Sequence, residues 1–252
     1  MAKAVVTGAS SGIGEAFARH LANMGYDLII VARRQERLEA IAEELSVNVQ
    51  IVVADLSTDE GMTTVEMLIK ADNEIAFLVN NAGFNRTGHF RKVDLSKHLA
   101  MIRLHLDATM RLSHAVIPQM RENKHGAIIN VASLGGLVPM PGSATYNATK
   151  AYLVSFSESL ATELAYFGIT VQALCPGFTR TEIFDSAGYD DMSNIPDILW
   201  MSADEVVITS LKAISKKRFL VTPGFHNQLA WRVMQIPIFR MLLKRYTNQS
   251  FR

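Results

Sequence analysis

In the stretch YNATK, Tyr146 and Lys150 stand four residues apart. On a helix that spacing puts both side chains on one face, with Cβ atoms about 5–6 Å apart. A phenol with its ordinary pKa near 10 exchanges protons poorly at neutral pH. A neighbouring ammonium favours the phenolate and lowers that pKa. The pair therefore suits proton exchange with an oxygen that is being reduced or oxidised. Ser133 closes the pattern AIINVA and offers a hydroxyl that can hold the same oxygen. Plainer explanations exist: a solvated Tyr–Lys pair, and a turn serine before Gly135 and Gly136. That they all hold at once, beside the glycine turn described next, is the weaker account.

TGASSGIG, Thr7 to Gly14, directly follows the first strand pattern and carries Gly8, Gly12 and Gly14. Glycines at a strand-to-helix turn let the backbone close tightly and approach a pyrophosphate. The helix that follows points its positive end at the charge. Ser10 and Ser11 add hydroxyl donors, and Ile13 belongs to the same turn. In NAD sites an acid near the end of the second strand accepts the ribose hydroxyls. Here that place holds Ala32, followed by Arg33 and Arg34. Guanidinium groups fork onto phosphate oxygens, and cations at a helix start call for a compensating anion. The expected cofactor is therefore NADP(H) in preference to NAD(H).

These residues need a scaffold, and the chain supplies one. Strand patterns at 4–8, 27–32, 49–54, 75–80, 127–132, 170–175 and 218–222 alternate with helical ones, including a long helix over about 95–121 and another over about 146–166. Most strands are apolar on both faces, as in a parallel sheet covered on both sides. The alternation predicts an α/β fold, a doubly wound parallel sheet of about seven strands, in one domain. With 252 residues, 49% hydrophobic and 19% charged, the chain can bury a substantial core. A net charge of +1 gives no long-range pull toward nucleic acid. The lone Cys175 excludes an internal disulfide and a multi-cysteine metal site, and it fits a reducing, cytoplasmic location. No metal is expected, and no run reaches the ~18 apolar residues of a spanning helix.

Taken in order, TGASSGIG, ADLS (54–57), NNAG (80–83), Ser133, YNATK and CPGFTRT (175–181) resemble the short-chain dehydrogenase/reductase family in its single-domain Rossmann form. The resemblance spans residues from about 4 to 182. It implies that Asp55 and Leu56 lie beside the adenine. It also implies that Asn81, Ala82 and Gly83 line the adenosine ribose side and brace the central strand. Pro176, Gly177, Thr179 and Thr181 would shape the nicotinamide pocket. Ser133 stands thirteen residues before Tyr146, the usual family spacing. By the same resemblance Lys150 also grips the nicotinamide ribose, the pro-S hydride is transferred, and the two long helices pair subunits into a homodimer or homotetramer. The expected activity interconverts a ketone and a secondary alcohol on an apolar substrate. The alternative is a non-catalytic NADP(H)-binding sensor or scaffold on the same fold.

One position departs from the family pattern. Where the long fourth helix usually carries an asparagine that holds a relay water, this chain has His105. A histidine can hold that water, or it can be a core residue satisfied by the backbone. Two further segments lie outside the alternating pattern. An insertion over about 178–202 carries Phe184, Tyr189, Trp200 and Met201, which could face a hydrophobic substrate. The tail from about 225 to 252 is apolar with Arg232, Gln235, Arg240 and Lys244 along one stripe and a helix-breaking Pro237. It reads as a packed or subunit-contact helix, with a membrane-surface helix as the other option.

Overall fold

A computed structural model of the chain describes residues 1–183, 195–236, 238 and 241. Seven parallel strands form one sheet: β1 (Lys3–Thr7), β2 (Asp27–Ala32), β3 (Val49–Val53), β4 (Ile75–Asn80), β5 (Gly126–Val131), β6 (Ile169–Leu174) and β7 (Leu220–Val221). Their spatial order is β3-β2-β1-β4-β5-β6-β7. The order reverses between β1 and β4, which is where a doubly wound sheet opens a ligand crevice. Six strands begin and end within a residue of expectation. The last keeps only two of its five expected residues, at the edge of the sheet beside β6.

The described α-helices are α1 (Gly12–Asn23), α2 (Gln35–Glu44), α3 (Asp59–Ala71), α4 (Leu95–Ile102), α5 (Ala108–Asn123), α6 (Leu134–Leu137), α7 (Ala144–Leu164), α8 (Ala203–Ile214) and α9 (Phe225–Met234). Side chains alternate along each strand, so the sheet feeds two cores. Val6, Ile30 and Ile129 pack with Phe17 and Leu21 of α1, Leu38 of α2, and Val206 and Val207 of α8. Val5, Ile29, Val31 and Ile128 turn the other way, onto Met62, Val65 and Ile69 of α3 and Leu112, Val116 and Met120 of α5. Burial on both faces is why β1, β2, β4 and β5 lack a polar period. Strand β3, at the edge, is covered less completely, with Gln50 and Val53 exposed.

The helix expected over 95–121 is present, running from Leu95 to Asn123, but its winding is not uniform. A π turn, Arg103–Asp107, separates α4 from α5. Side-chain chemistry fixes other boundaries. Thr58 caps α3 by accepting from Gly61 N at 3.1 Å, and Ser202 with Glu205 forms a capping box on α8.

A polar chain crosses the centre of the sheet. Asn80 Nδ2 donates to Asn130 Oδ1 at 2.8 Å and to Ser113 Oγ at 3.1 Å. Asn130 Nδ2 donates to Ser157 Oγ at 2.9 Å, and that hydroxyl donates to Leu153 O. Asn130 and Ser157 are fully buried, so no water replaces a lost partner. Asn130→Ala is expected to lower unfolding free energy by about 2 kcal/mol through these orphaned groups, read as an earlier urea midpoint at unchanged slope.

Candidate active site

The glycine turn leaves β1 at Gly8 and enters α1 at Gly12, with φ of +66° and +57°, where a side chain is strained. A Cβ on Gly8 would also lie 2.8 Å from Asn81 Nδ2. The turn is held from β4: Asn81 Nδ2 donates to Thr7 O at 2.9 Å and Gly8 O at 3.2 Å. Thr7 Oγ1 accepts from Asn81 N and Ala82 N. Ser11, the residue before α1, makes no side-chain cap, so the first-turn amides carry no side-chain acceptor. That arrangement fits a pyrophosphate. Gly14 acts differently from its neighbours. A Cβ there would run into Gly8 O, so it permits close helix–turn packing and, unlike the other predicted site residues, does not line the cavity.

Gly8, Ser10, Ser11, Gly12 and Ile13 line one end of a cavity of about 920 Å³ together with Arg33, Arg34, Asp55 and Leu56. Arg33 is largely exposed, its Nη1 3.8 Å from Asp55 Oδ2. Asp55 accepts from Ser57 N and Oγ at 2.9 and 2.7 Å. Burial raises its pKa, but these bonds and Arg33 outweigh that and hold it below the ordinary carboxylate value. Arg34 donates to Ser10 Oγ and Ser11 Oγ at 3.0 and 2.9 Å and pairs with Glu182 at 2.8 Å. The chain thus supplies an anion to this helix start, and Arg34 does not by itself call for a phosphate.

The other predicted residues gather where β4, β5 and β6 end. Lys150 is 5% exposed; its Nζ donates to Val131 O at 2.7 Å and lies 5.6 Å from the centre of the Tyr146 ring. Burial lowers the Lys150 pKa to about 8, with Cys175 pulling the other way. Burial pushes the Cys175 thiol up to about 12, so it remains a thiol. Ser133 leaves β5 extended, and its Oγ accepts from Gly135 N at 3.0 Å. Asn81, Ala82, Gly83, Ser133, Tyr146, Lys150, Pro176, Gly177, Thr179 and Thr181 all line the same cavity. Pro176 O accepts from Leu134 N. Thr179 is buried and bridges to Met201. Thr181 lies so close to Gly12 that a Cβ there would meet its methyl at 2.8 Å.

His105 sits in the π turn, fully buried, its ring 5.9 Å from that of Tyr146. Phe84 N donates to its Nε2 at 3.2 Å, and its Nδ1 is 2.8 Å from Thr149 Oγ1. Thr149 gives its own proton to Tyr146 O, so the histidine must donate through Nδ1. Burial, then the Lys150 charge, press its pKa well below the ordinary value. Both ring nitrogens are engaged by protein, which leaves neither for a relay water in this arrangement.

Sequence reasoning missed the apolar wall of the cavity: Phe84, Ala100, Leu104, Val138, Met140, Phe178 and Ile183. Of the insertion, Trp200 packs behind Phe178 at 5.5 Å and Met201 is buried beneath it, so neither lines the cavity. Phe184 and Tyr189 lie outside the described residues, as do Pro237, Arg240 and Lys244 of the tail. The described tail does reach the site: Asn227 of α9 donates to Pro223 O and presses on Gly177. No described helix is long and apolar enough to cross a membrane.

A glycine turn at the reversal of a parallel sheet, facing a serine, a tyrosine and a lysine, defines a dinucleotide-binding oxidoreductase site. The family model for short chain dehydrogenases matches residues 2–191, and the chain belongs to the short-chain dehydrogenase/reductase family. It is 36% identical over 193 residues to the 3-oxoacyl-acyl-carrier-protein reductase FabG of Escherichia coli, covering 76% of this chain and 79% of that one. It is 34% identical over 186 residues to the human inactive hydroxysteroid dehydrogenase-like protein 1, covering 71% of this chain and 56% of that one. Among solved structures, a short-chain dehydrogenase from Sphingobium yanoikuyae in complex with NADPH superposes with a TM-score of 0.86 at 34% identity, covering 96% and 95% of the two chains.

The buried lysine makes a measurable claim. In an NMR titration of lysine side chains, Lys150 is expected to lose its proton near pH 8, well before the exposed lysines. Because its folded pKa lies below the unfolded value, unfolding takes up a proton between about pH 8 and 10.5. Its contribution to stability therefore rises with pH across that window.

Proposed function

We propose that the protein is an NADP(H)-dependent oxidoreductase that interconverts a ketone and a secondary alcohol on an apolar molecule. The observation that carries this reading is the buried Lys150 ammonium 5.6 Å from the Tyr146 ring in a cavity shared with Ser133 and the glycine turn. When bound, the nicotinamide supplies or takes up hydride. Tyr146 gives or accepts the proton on the substrate oxygen, and Ser133 holds that oxygen. A positive charge beside the ring favours the phenolate over the phenol and so lowers the pKa of the tyrosine. Lys150 also holds the nicotinamide ribose.

Support for NADP(H) over NAD(H) is Arg33, exposed at the adenosine end, and the NADPH in the related Sphingobium enzyme. The apolar wall around Phe84, Leu104 and Met140 favours an apolar substrate. The chain works as one domain, with the insertion over about 178–202 as its substrate loop and the tail over about 225–252 as a packed flank. Exposed Met110 on α5 and Tyr152 on α7 support pairing of subunits through the two long helices, as a homodimer or homotetramer. The lone, buried Cys175 is consistent with the cytoplasm.

A second reading, a non-catalytic NADP(H)-binding sensor or scaffold, is favoured by the human relative named inactive. Against it stands the retention of Ser133, Tyr146 and Lys150.

Tyr146→Phe is expected to remove at least about 99% of ketone-dependent NADPH oxidation, the scale of one acid–base group, while the Kd for NADPH stays within a few-fold. Near-normal turnover in that variant would defeat the assignment. NADPH should be used in preference to NADH, and Arg33→Ala should erode the preference by raising the NADPH KM alone. Equal use of both cofactors by the unaltered protein would overturn the arginine argument. Cofactor binding without oxidation across a broad ketone panel would favour the sensor.

A further inference from the structure

We propose that the substrate is amphiphilic: its ketone sits on an apolar body whose far end carries a carboxylate or phosphate, held at the cavity mouth by Arg86 and Lys97. This rests on the oxidoreductase reading and narrows its substrate class.

Charge is sorted along the cavity. The two acids that line it, Asp55 and Glu182, lie at the adenosine end and are engaged there, Asp55 by Ser57 and Arg33, Glu182 by Arg34 and Arg37. At the substrate end, apart from the buried Lys150 beside Tyr146, the charged lining residues are Arg86 and Lys97, both exposed. Neither forms an ion pair or a side-chain hydrogen bond among the described residues. Asp94, the acid nearest in sequence, caps α4 by accepting from Ser96 N at 2.9 Å. It feels the Lys97 charge but lies beyond ion-pair distance of it.

Polarity also changes along one helix face. Lys97, Ala100 and Leu104 line the cavity at spacings of three and four, one stripe of α4 running into the π turn beside Tyr146. Seven residues of helix rise by about 10 Å, so a cation at the mouth gives way to an apolar floor before the reacting oxygen. The rim is fixed to the catalytic helix. Gly88 N donates to Gly142 O at 2.8 Å. His98 donates through Nε2 to Phe90 O at 3.3 Å and accepts through Nδ1 from Thr145 Oγ1 at 2.8 Å. Thr145 is the neighbour of Tyr146. A purely apolar substrate would leave both cations unused at its exit; an anionic end would meet them.

The test compares ketones that differ only in that end: oxo-acids with the carboxylate about six to ten carbons from the ketone, to span about 10 Å, against their methyl esters. A third arm uses oxoalkyl phosphates of the same chain length, which separates a phosphate from a carboxylate. Exposed charge pairs contribute little each, so the two together should favour an anion over its ester about five- to ten-fold in kcat/KM, about 1–1.4 kcal/mol in all. The preference should act mainly through KM and fade with added salt. In R86Q/K97Q the anion-to-ester ratio should fall toward one, and R86E/K97E should invert it. A ratio near one in the unaltered protein, or one that survives R86Q/K97Q, overturns the proposal. If no ketone is reduced, the oxidoreductase reading fails separately, and calorimetric binding of acid against ester, with and without NADP⁺, decides the anion site by the same criteria.

Discussion

Lys150 is a charge held where water barely reaches it, and the site is built around keeping it there. An ammonium loses much of its hydration on burial and needs nearby dipoles in return. The Val131 carbonyl, freed where β5 ends, supplies one. Strand β5 thus seats the cation, α7 sets its distance to the phenol, and β6 brings Cys175 alongside. Three elements distant in sequence meet at one nitrogen. The burial that lowers the pKa of Lys150 also strengthens its field on Tyr146, because the dielectric there is low. A more exposed lysine would keep its proton more firmly and influence the phenol less.

The architecture was largely legible because a covered parallel sheet imprints its burial directly on composition. Apolar runs such as DLIIVA and IAFLVN have few other ways to be satisfied. The glycine turn and the Tyr146–Lys150 spacing were legible for a similar reason, since each is a local geometric demand. What could not be read were contacts made across the fold. Glu182 reaching Arg34, Asn227 pressing on Gly177, and Arg86 at the cavity mouth have no local signature. Gly14 matched the motif yet serves packing. A pattern of glycines reports that space is scarce without saying whether a ligand or a backbone takes it.

The loops around the cavity are tied to one another as well as to the sheet. Thr181 rests on Gly12, Glu182 spans to Arg34, and Thr179 bridges to Met201, so the segment leaving β6 touches both ends of the crevice. Asn227 adds the described start of the tail to that set. Side chains that would meet the adenosine end of a dinucleotide and those that would meet the substrate therefore share one stretch of chain, from Pro176 to Ile183.

The π turn gives the long helix a length dependence that composition does not reveal. Each residue advances an α-helix by about 100°, so the Arg103–Asp107 turn inserts a phase step that aims His105 at Phe84 and Thr149 while Leu112 and Val116 of α5 stay on the core. One residue fewer would let this segment wind as a plain α-helix with both halves still in phase, and the bulge that turns His105 toward Phe84 and Thr149 would be gone. A histidine reaches the buried centre here because the chain carries one residue more than a regular helix needs.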